Sequence, residues 1–168
     1  MCPMKLSKDF YKQDAVTLAP VLLGKLLCYN VNGKIIKRRI TETESYMQYD
    51  TACHAHKGKT PRNSVMFEPG GLAYVYLCYG IHNMLNVVSG EANDPQAVLI
   101  RGVEGASGPG RLTKAMQIDR SLNGIDLTGG TLWLEDDGAV VSYKTTVRIG
   151  IDYADEVDRL RQWRFIQE

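Results

Sequence analysis

The residues with the clearest chemical potential lie in the segment Ile40-Thr-Glu-Thr-Glu-Ser-Tyr46. Side chains alternate between the faces of a strand, so Glu42, Glu44 and Tyr46 would share one face, with neighbours ~6–7 Å apart. A carboxylate beside an aromatic ring is a working pair: the ring stacks on a flat ligand while the carboxylate acts on the atom next to it. A solvent-facing stripe with an amphipathic tyrosine would show the same pattern. The second segment is Leu72-Ala-Tyr-Val-Tyr-Leu-Cys-Tyr-Gly80. Here Tyr74 and Tyr76 fall on one face and Tyr79 falls at a turn. Tyrosines in strands commonly pack in cores. So many in so short a stretch also supply flat faces, and flat faces bind bases. A tyrosine at a tight turn can act as a wedge between base pairs, although such wedges are more often fully apolar.

Asn86 and Arg101 stand on segments that are otherwise apolar. A buried arginine needs a partner, and Glu44 is the expected one, either for chemistry or as a structural salt bridge. His54 and His56 are two apart, but no third ligand stands at a familiar spacing, so no metal is expected. No pair among Cys2, Cys28, Cys53 and Cys78 has the spacing of a zinc site, and free thiols are expected. Nothing in the chain calls for a cofactor. The formal net charge of +1 is small for a nucleic-acid partner. Local basic clusters are more suggestive: Lys34, Lys37, Arg38 and Arg39; Lys57, Lys59 and Arg62; Arg111 and Lys114. Acidic residues gather at 135–137 and 152–158, which suggests a two-faced molecule with a basic side for phosphates, unless these clusters are ordinary solvated faces.

The elements that must position these residues follow from turn signals and periodicity. A helix capped by Asp14 should run to Leu23 and stop at Gly24, with Pro20 as an awkward guest. Strands over 25–31 and 34–44 should flank Asn32-Gly33, a strong hairpin signal. Residues 47–64 form a long polar loop, of a length that is usually functional or disordered. Strands over 72–78 and 84–89 should be joined by the Tyr79–His82 turn, followed by a strand at 97–103 and a helix at 111–118. Short strands at 131–135, 140–143 and 147–151 and a helix at 154–160 complete the reading. The expected fold is a single α+β domain over residues 1–168, a largely antiparallel curved sheet with helices packed around it. With 168 residues, one core suffices. No apolar run approaches a membrane span and no signal peptide opens the chain, so a cytoplasmic monomer is expected.

Taken in order, the residues resemble the alkyladenine-type, or methylpurine, 3-methyladenine DNA glycosylases. The resemblance runs through Leu22-Leu-Gly-Lys25, Glu42-Thr-Glu-Ser-Tyr46, Asp50-Thr-Ala-Cys-His54, Lys59-Thr-Pro-Arg-Asn63, Met66-Phe67 and Pro69-Gly70. It continues through Tyr74–Gly80, Asn86, Ala97-Val-Leu-Ile-Arg101, Gly108-Pro-Gly110, Arg148-Ile-Gly150 and Trp163-Arg-Phe165. No single motif is decisive; the ordered set is specific.

The resemblance implies base-excision repair of double-stranded DNA containing damaged purines. Glu44 would activate water, with Arg101 helping to hold it. Tyr46, His54 and Tyr76 would sandwich the flipped base, and Asn86 would crowd the 2-amino group of normal guanine. Tyr79 would fill the gap in the duplex. From the charge clusters rather than the resemblance, Lys57, Lys59 and Arg62, with His82, are expected to meet the DNA backbone. An electron-poor, often cationic purine stacks well on electron-rich rings, and flipping is cheapest at damaged sites. No lysine stands at a pocket position, so no covalent imine step is expected. The family's chains usually extend well past the Trp-Arg-Phe segment, in a tail that lines the pocket. Here only three residues follow Phe165, so a less closed pocket is expected. A lesion-binding protein without activity and a hydrolase of free nucleosides are the competing readings.

Overall fold

A computed structural model describes residues 2–168. Among these residues ten strands form one antiparallel system: β1 Met4–Lys5, β2 Leu26–Val31, β3 Lys34–Met47, β4 Ala73–Cys78, β5 His82–Val88, β6 Gln96–Val103, β7 Ala106–Ser107, β8 Leu132–Asp136, β9 Tyr143–Thr146 and β10 Arg164–Gln167. The main order is β1-β8-β2-β3-β6-β5-β4, with β10 joining β3 to β9 and β7 added to β6. Three α-helices accompany them: α1 Ala15–Leu22, α2 Pro109–Met116 and α3 Glu156–Arg159. This is the α+β architecture expected.

Local chemistry explains the early elements. The Asp14 carboxylate accepts the Thr17 N–H at 2.8 Å and caps α1. Pro20 lies inside α1 and removes one helical hydrogen bond, two residues before the helix ends at Leu22 and Gly24 leaves it at φ +84°. The β2–β3 hairpin turns at Asn32 and Gly33, both at positive φ, which matches the twist of the flanking strands. β3 is fourteen residues long and is the spine of the molecule. Its first half pairs with β2, its second half with β6 and β10.

The main core lies on one face of the sheet. Leu18, Leu22, Val75, Leu85, Val87, Val98, Ile100, Leu112 and Met116 meet there beneath α1 and α2. On β3, the Thr43 and Ser45 hydroxyls face this side and donate to the α1 carbonyls of Ala19 and Ala15, both at 2.8 Å. The opposite face carries a smaller cluster around Met66, Tyr74, Val88 and Ala97, packed by Tyr46 and Tyr76.

The C-terminal third departs from expectation. Residues 147–151 form no strand, because their polar groups are engaged elsewhere: the Arg148 side chain is buried in an ion pair, and the Ile149 N–H points at Glu44. The strand expected at 140–143 lies at Tyr143–Thr146, and the helix expected at 154–160 shrinks to Glu156–Arg159. β10 was not anticipated. It is an edge partner for β3, and its four residues carry too little alternation to stand out.

Candidate active site

Two opposed irregularities in the β3–β6 ladder shape the site. The register passes from Ile40↔Val103 to Glu42↔Gly102 and then to Thr43↔Ile100. Thr41 is thus an extra residue on β3 and Arg101 an extra residue on β6. Beyond these bulges plain alternation holds: Glu42 shares the face of Glu44 and Tyr46, and Arg101 shares that of Ala97 and Leu99, which line the same cavity. Gly102 fits opposite because a Cβ there would come within 2.9 Å of the Thr41 hydroxyl.

A cavity of about 350 Å³ opens on this face. Tyr46, His54, Tyr76, Asn86 and Arg101 line it, and Tyr79 stands at its rim. The far wall is Ile149, Gly150, Ile151 and Tyr153. That wall comes from the segment upstream of Trp163.

Glu44 has no exposed surface and lies just behind the cavity wall, not on it. One carboxylate oxygen accepts the Tyr46 hydroxyl at 2.7 Å; the other accepts the Ile149 N–H at 2.8 Å. An Arg101 guanidinium nitrogen lies 3.5 Å from the first oxygen. Burial pushes the Glu44 carboxyl above the usual carboxylate range, opposed by the Arg101 charge and by these hydrogen bonds. The expected Glu44–Arg101 pair is therefore present, but the nearer partner of Arg101 is Glu42. One oxygen of Glu42 accepts both the Arg101 Nε at 3.1 Å and the Arg164 Nε at 2.9 Å.

Tyr74 and Tyr76 share a face, as the strand alternation predicted, and His54 joins them from the 47–64 loop. Tyr74 and Tyr76 have ring centroids 5.4 Å apart, and His54 lies 4.3 Å from Tyr76. The His54 Nδ1 is 3.0 Å from the Tyr74 hydroxyl. Burial, and then the Arg62 charge, hold the His54 imidazole down to about pKa 4, so it is neutral at pH 7. His54 is exposed to solvent on its cavity side, which tempers that shift. Asn86 is buried, and its side-chain amide donates to the Tyr74 carbonyl at 3.2 Å.

Tyr79 is 90% exposed at the tip of the β4–β5 turn, with φ +52°, next to Gly80 at +69° and to Ile81, which is 71% exposed. A large apolar tip held clear of the core has no packing role in the free protein. His82 begins β5 beside α2, where a Cβ on Gly110 would lie 2.8 Å from its ring nitrogen.

The basic clusters separate into two kinds. Lys37 pairs with Glu135 and Arg39 with Asp137, because strand pairing lays β8 two places from β3. The idea that acidic residues 135–137 lie on a separate face from this cluster is corrected: Lys37 and Arg39 pair with Glu135 and Asp137. Lys57 and Lys59 are exposed on the 47–64 loop, and Lys59 reaches over Phe67 at 5.8 Å. Arg62, expected on the DNA backbone, lines the cavity and lies 5.5 Å above the Tyr76 ring. Among the described residues, no three His, Cys, Asp or Glu side chains cluster to hold a metal ion. The same residues include no helix long and apolar enough to cross a membrane.

Sequence patterning alone missed the support beneath these groups. Arg148 is buried in an ion pair with Asp50 and also donates to the carbonyls of Ser45 at 2.9 Å and Asp158 at 3.0 Å. Its guanidinium lies 4.8 Å from the Tyr46 ring and 5.2 Å from Trp163. Arg148 thus anchors both the Tyr46 ring and the backbone that gives Glu44 its Ile149 N–H. Its partner is 98 residues away in the chain, so no local pattern could signal it.

An aromatic cavity with a buried carboxylate behind its wall, an arginine in its lining and an exposed tyrosine at its lip defines a pocket for a flat ring beside a proton acceptor. The family model for methylpurine-DNA glycosylase (MPG) matches residues 9–107 and 104–168, and the chain belongs to that family. A protein of Borrelia garinii subsp. bavariensis named "Putative 3-methyladenine DNA glycosylase" is 44% identical over 95% of this chain and 94% of its own length. Proteins of the same name from Methanocella arvoryzae and Psychrobacter cryohalolentis are 45% and 40% identical, over 95% and 92% of this chain and 90% and 87% of their own lengths.

Proposed function

We propose that this protein is a monofunctional DNA glycosylase that takes an alkylated or deaminated purine out of duplex DNA and hydrolyses its bond to the sugar. The observation that carries the reading is the buried Glu44, held by Tyr46, Arg101 and Ile149 directly behind a purine-sized aromatic cavity. Keeping a carboxylate in a site with no exposed surface costs stability, and a cost of that kind at a cleft marks function more often than packing.

The proposed steps use this chain's own groups. The damaged base enters between Tyr46 on one side and the His54–Tyr76 pair on the other. Tyr79 occupies the gap left in the duplex, where its exposure and its place at a turn suit it. A water taking the place of the Tyr46 hydroxyl at Glu44 would lie between the carboxylate and the Arg101 nitrogen 3.5 Å away. As the glycosidic bond breaks and positive charge grows on the sugar, Glu44 stabilises that charge and accepts the proton of the attacking water. The base leaves with the bonding electron pair, aided by any positive charge it already carries. Asn86, fixed by its bond to the Tyr74 carbonyl, narrows the pocket against the 2-amino group of guanine. Lys57 and Lys59, and His82 beside the wedge, would meet phosphates.

The test is duplex DNA carrying one hypoxanthine or one ethenoadenine, incubated with the protein and treated with alkali. Strand cleavage at the lesion is expected. Tight lesion binding without cleavage would favour a protein that holds damage without excising it, and release of base from free nucleosides would favour a nucleoside hydrolase.

A further inference from the structure

The cavity holds more arginine than a pocket built to attract cations should. Tyr46 has the Arg148 guanidinium 4.8 Å from its ring, and Arg148 reaches it from outside the cavity. Tyr76 has Arg62 at 5.5 Å, and both of these line the cavity. A cation over a ring engages the same negative π-face that a cationic purine would use. The ion pairs around the site sharpen the point. Arg101 and Arg164 are balanced by Glu42 and Glu44, and Arg148 by Asp50. His54 is held neutral. Among the described residues Arg62 has no carboxylate within ion-pair distance; its only polar partner is the Leu77 carbonyl at 3.4 Å. Arg62 is therefore the one uncompensated charge bordering the base pocket.

Resting on the glycosylase reading above, we infer that Arg62 is a specificity-determining residue that biases the pocket toward neutral damaged purines and against cationic ones. A neutral ring such as hypoxanthine stacks beside the guanidinium without repulsion. A ring carrying a positive charge, such as 7-methylguanine, meets a like charge at the rim and a Tyr76 face already in use.

The experiment compares single-turnover release of hypoxanthine and of 7-methylguanine from the same duplex by the wild-type protein and by Arg62→Gln. Arg62 is exposed, so the substitution leaves the core intact. The ratio of hypoxanthine to 7-methylguanine release should fall about two- to fivefold in the variant, the scale of one exposed cation–π contact. Arg62→Lys, which keeps the charge, should restore most of the ratio. If both rates fall together with the ratio unchanged, Arg62 is a phosphate contact and the inference fails. A second measurement needs no catalysis: titration of the His54 imidazole by NMR. Removing the Arg62 charge should raise its midpoint, and an unmoved midpoint would overturn the inference. Absence of release of either base by the wild type, with His54 shifted as expected, would strike the glycosylase reading and leave the electrostatic one standing.

Discussion

Replacing Glu44 with glutamine separates chemistry from stability, because the two should move in opposite directions. The amide keeps the shape of the carboxylate. Its oxygen can still accept the Ile149 N–H at 2.8 Å, and the Tyr46 hydroxyl can rotate to accept from the new NH₂. What is lost is the charge 3.5 Å from Arg101. At an effective dielectric of ~20, that pair is worth about 5 kcal/mol before desolvation. The carboxyl nevertheless titrates above its usual range, so burial outweighs the attraction and the bonds. The sign follows: a pKa raised in the folded state means the ionised form is disfavoured there. Stability is greatest below the ordinary carboxylate range and falls as pH rises through the folded value. Glu44→Gln should therefore match the wild type in acid and melt at a higher temperature at pH 7. Its single-turnover base release should fall by ~10²- to 10⁴-fold, about 3–5 kcal/mol of barrier, with lesion affinity near normal. The wild-type rate should decline with falling pH around a midpoint above the ordinary glutamate value, and the variant should lack that limb. Release within a few-fold of wild type, or an unchanged acid limb, would show that another group is the base.

Tyr79→Ser should cut release from duplex DNA far more than from a single strand carrying the same lesion; equal losses on both would assign Tyr79 another role. Asn86→Ser should raise excision of guanine opposite thymine more than excision of hypoxanthine, and an unchanged ratio of the two rates would remove Asn86 from the gate. Asp50→Asn leaves Arg148 buried without its counterion and should cost about 3–5 kcal/mol in denaturant unfolding; a loss under 1 kcal/mol would mean the pair is not the anchor described. Chelator in excess should leave single-turnover release unchanged, whereas loss of activity restored by zinc or magnesium would place a metal in the mechanism.

Local pattern determined a good part of this protein. The Asn32-Gly33 hairpin, the Asp14 cap and the alternation that puts Glu42, Glu44 and Tyr46 on one face and Tyr74 with Tyr76 on another strand are written in spacings of two to four residues, and backbone geometry reads them directly. So is the exposed turn at Tyr79, since a glycine beside it leaves the chain little choice. Tertiary structure decided what those groups can do. Glu44 ends up with no exposed surface only because residues 147–153 fold across the sheet and Arg148 is drawn to Asp50. Arg101 meets Glu42 at 3.1 Å and Glu44 at 3.5 Å, a preference settled by the pairing of β3 with β6 and not by any spacing within either strand. Lys37 and Arg39 are spent on Glu135 and Asp137, a pairing set by strand order. In each case the outcome depends on partners tens to about a hundred residues apart, brought together by burial and charge, and no spacing in the chain encodes such distances.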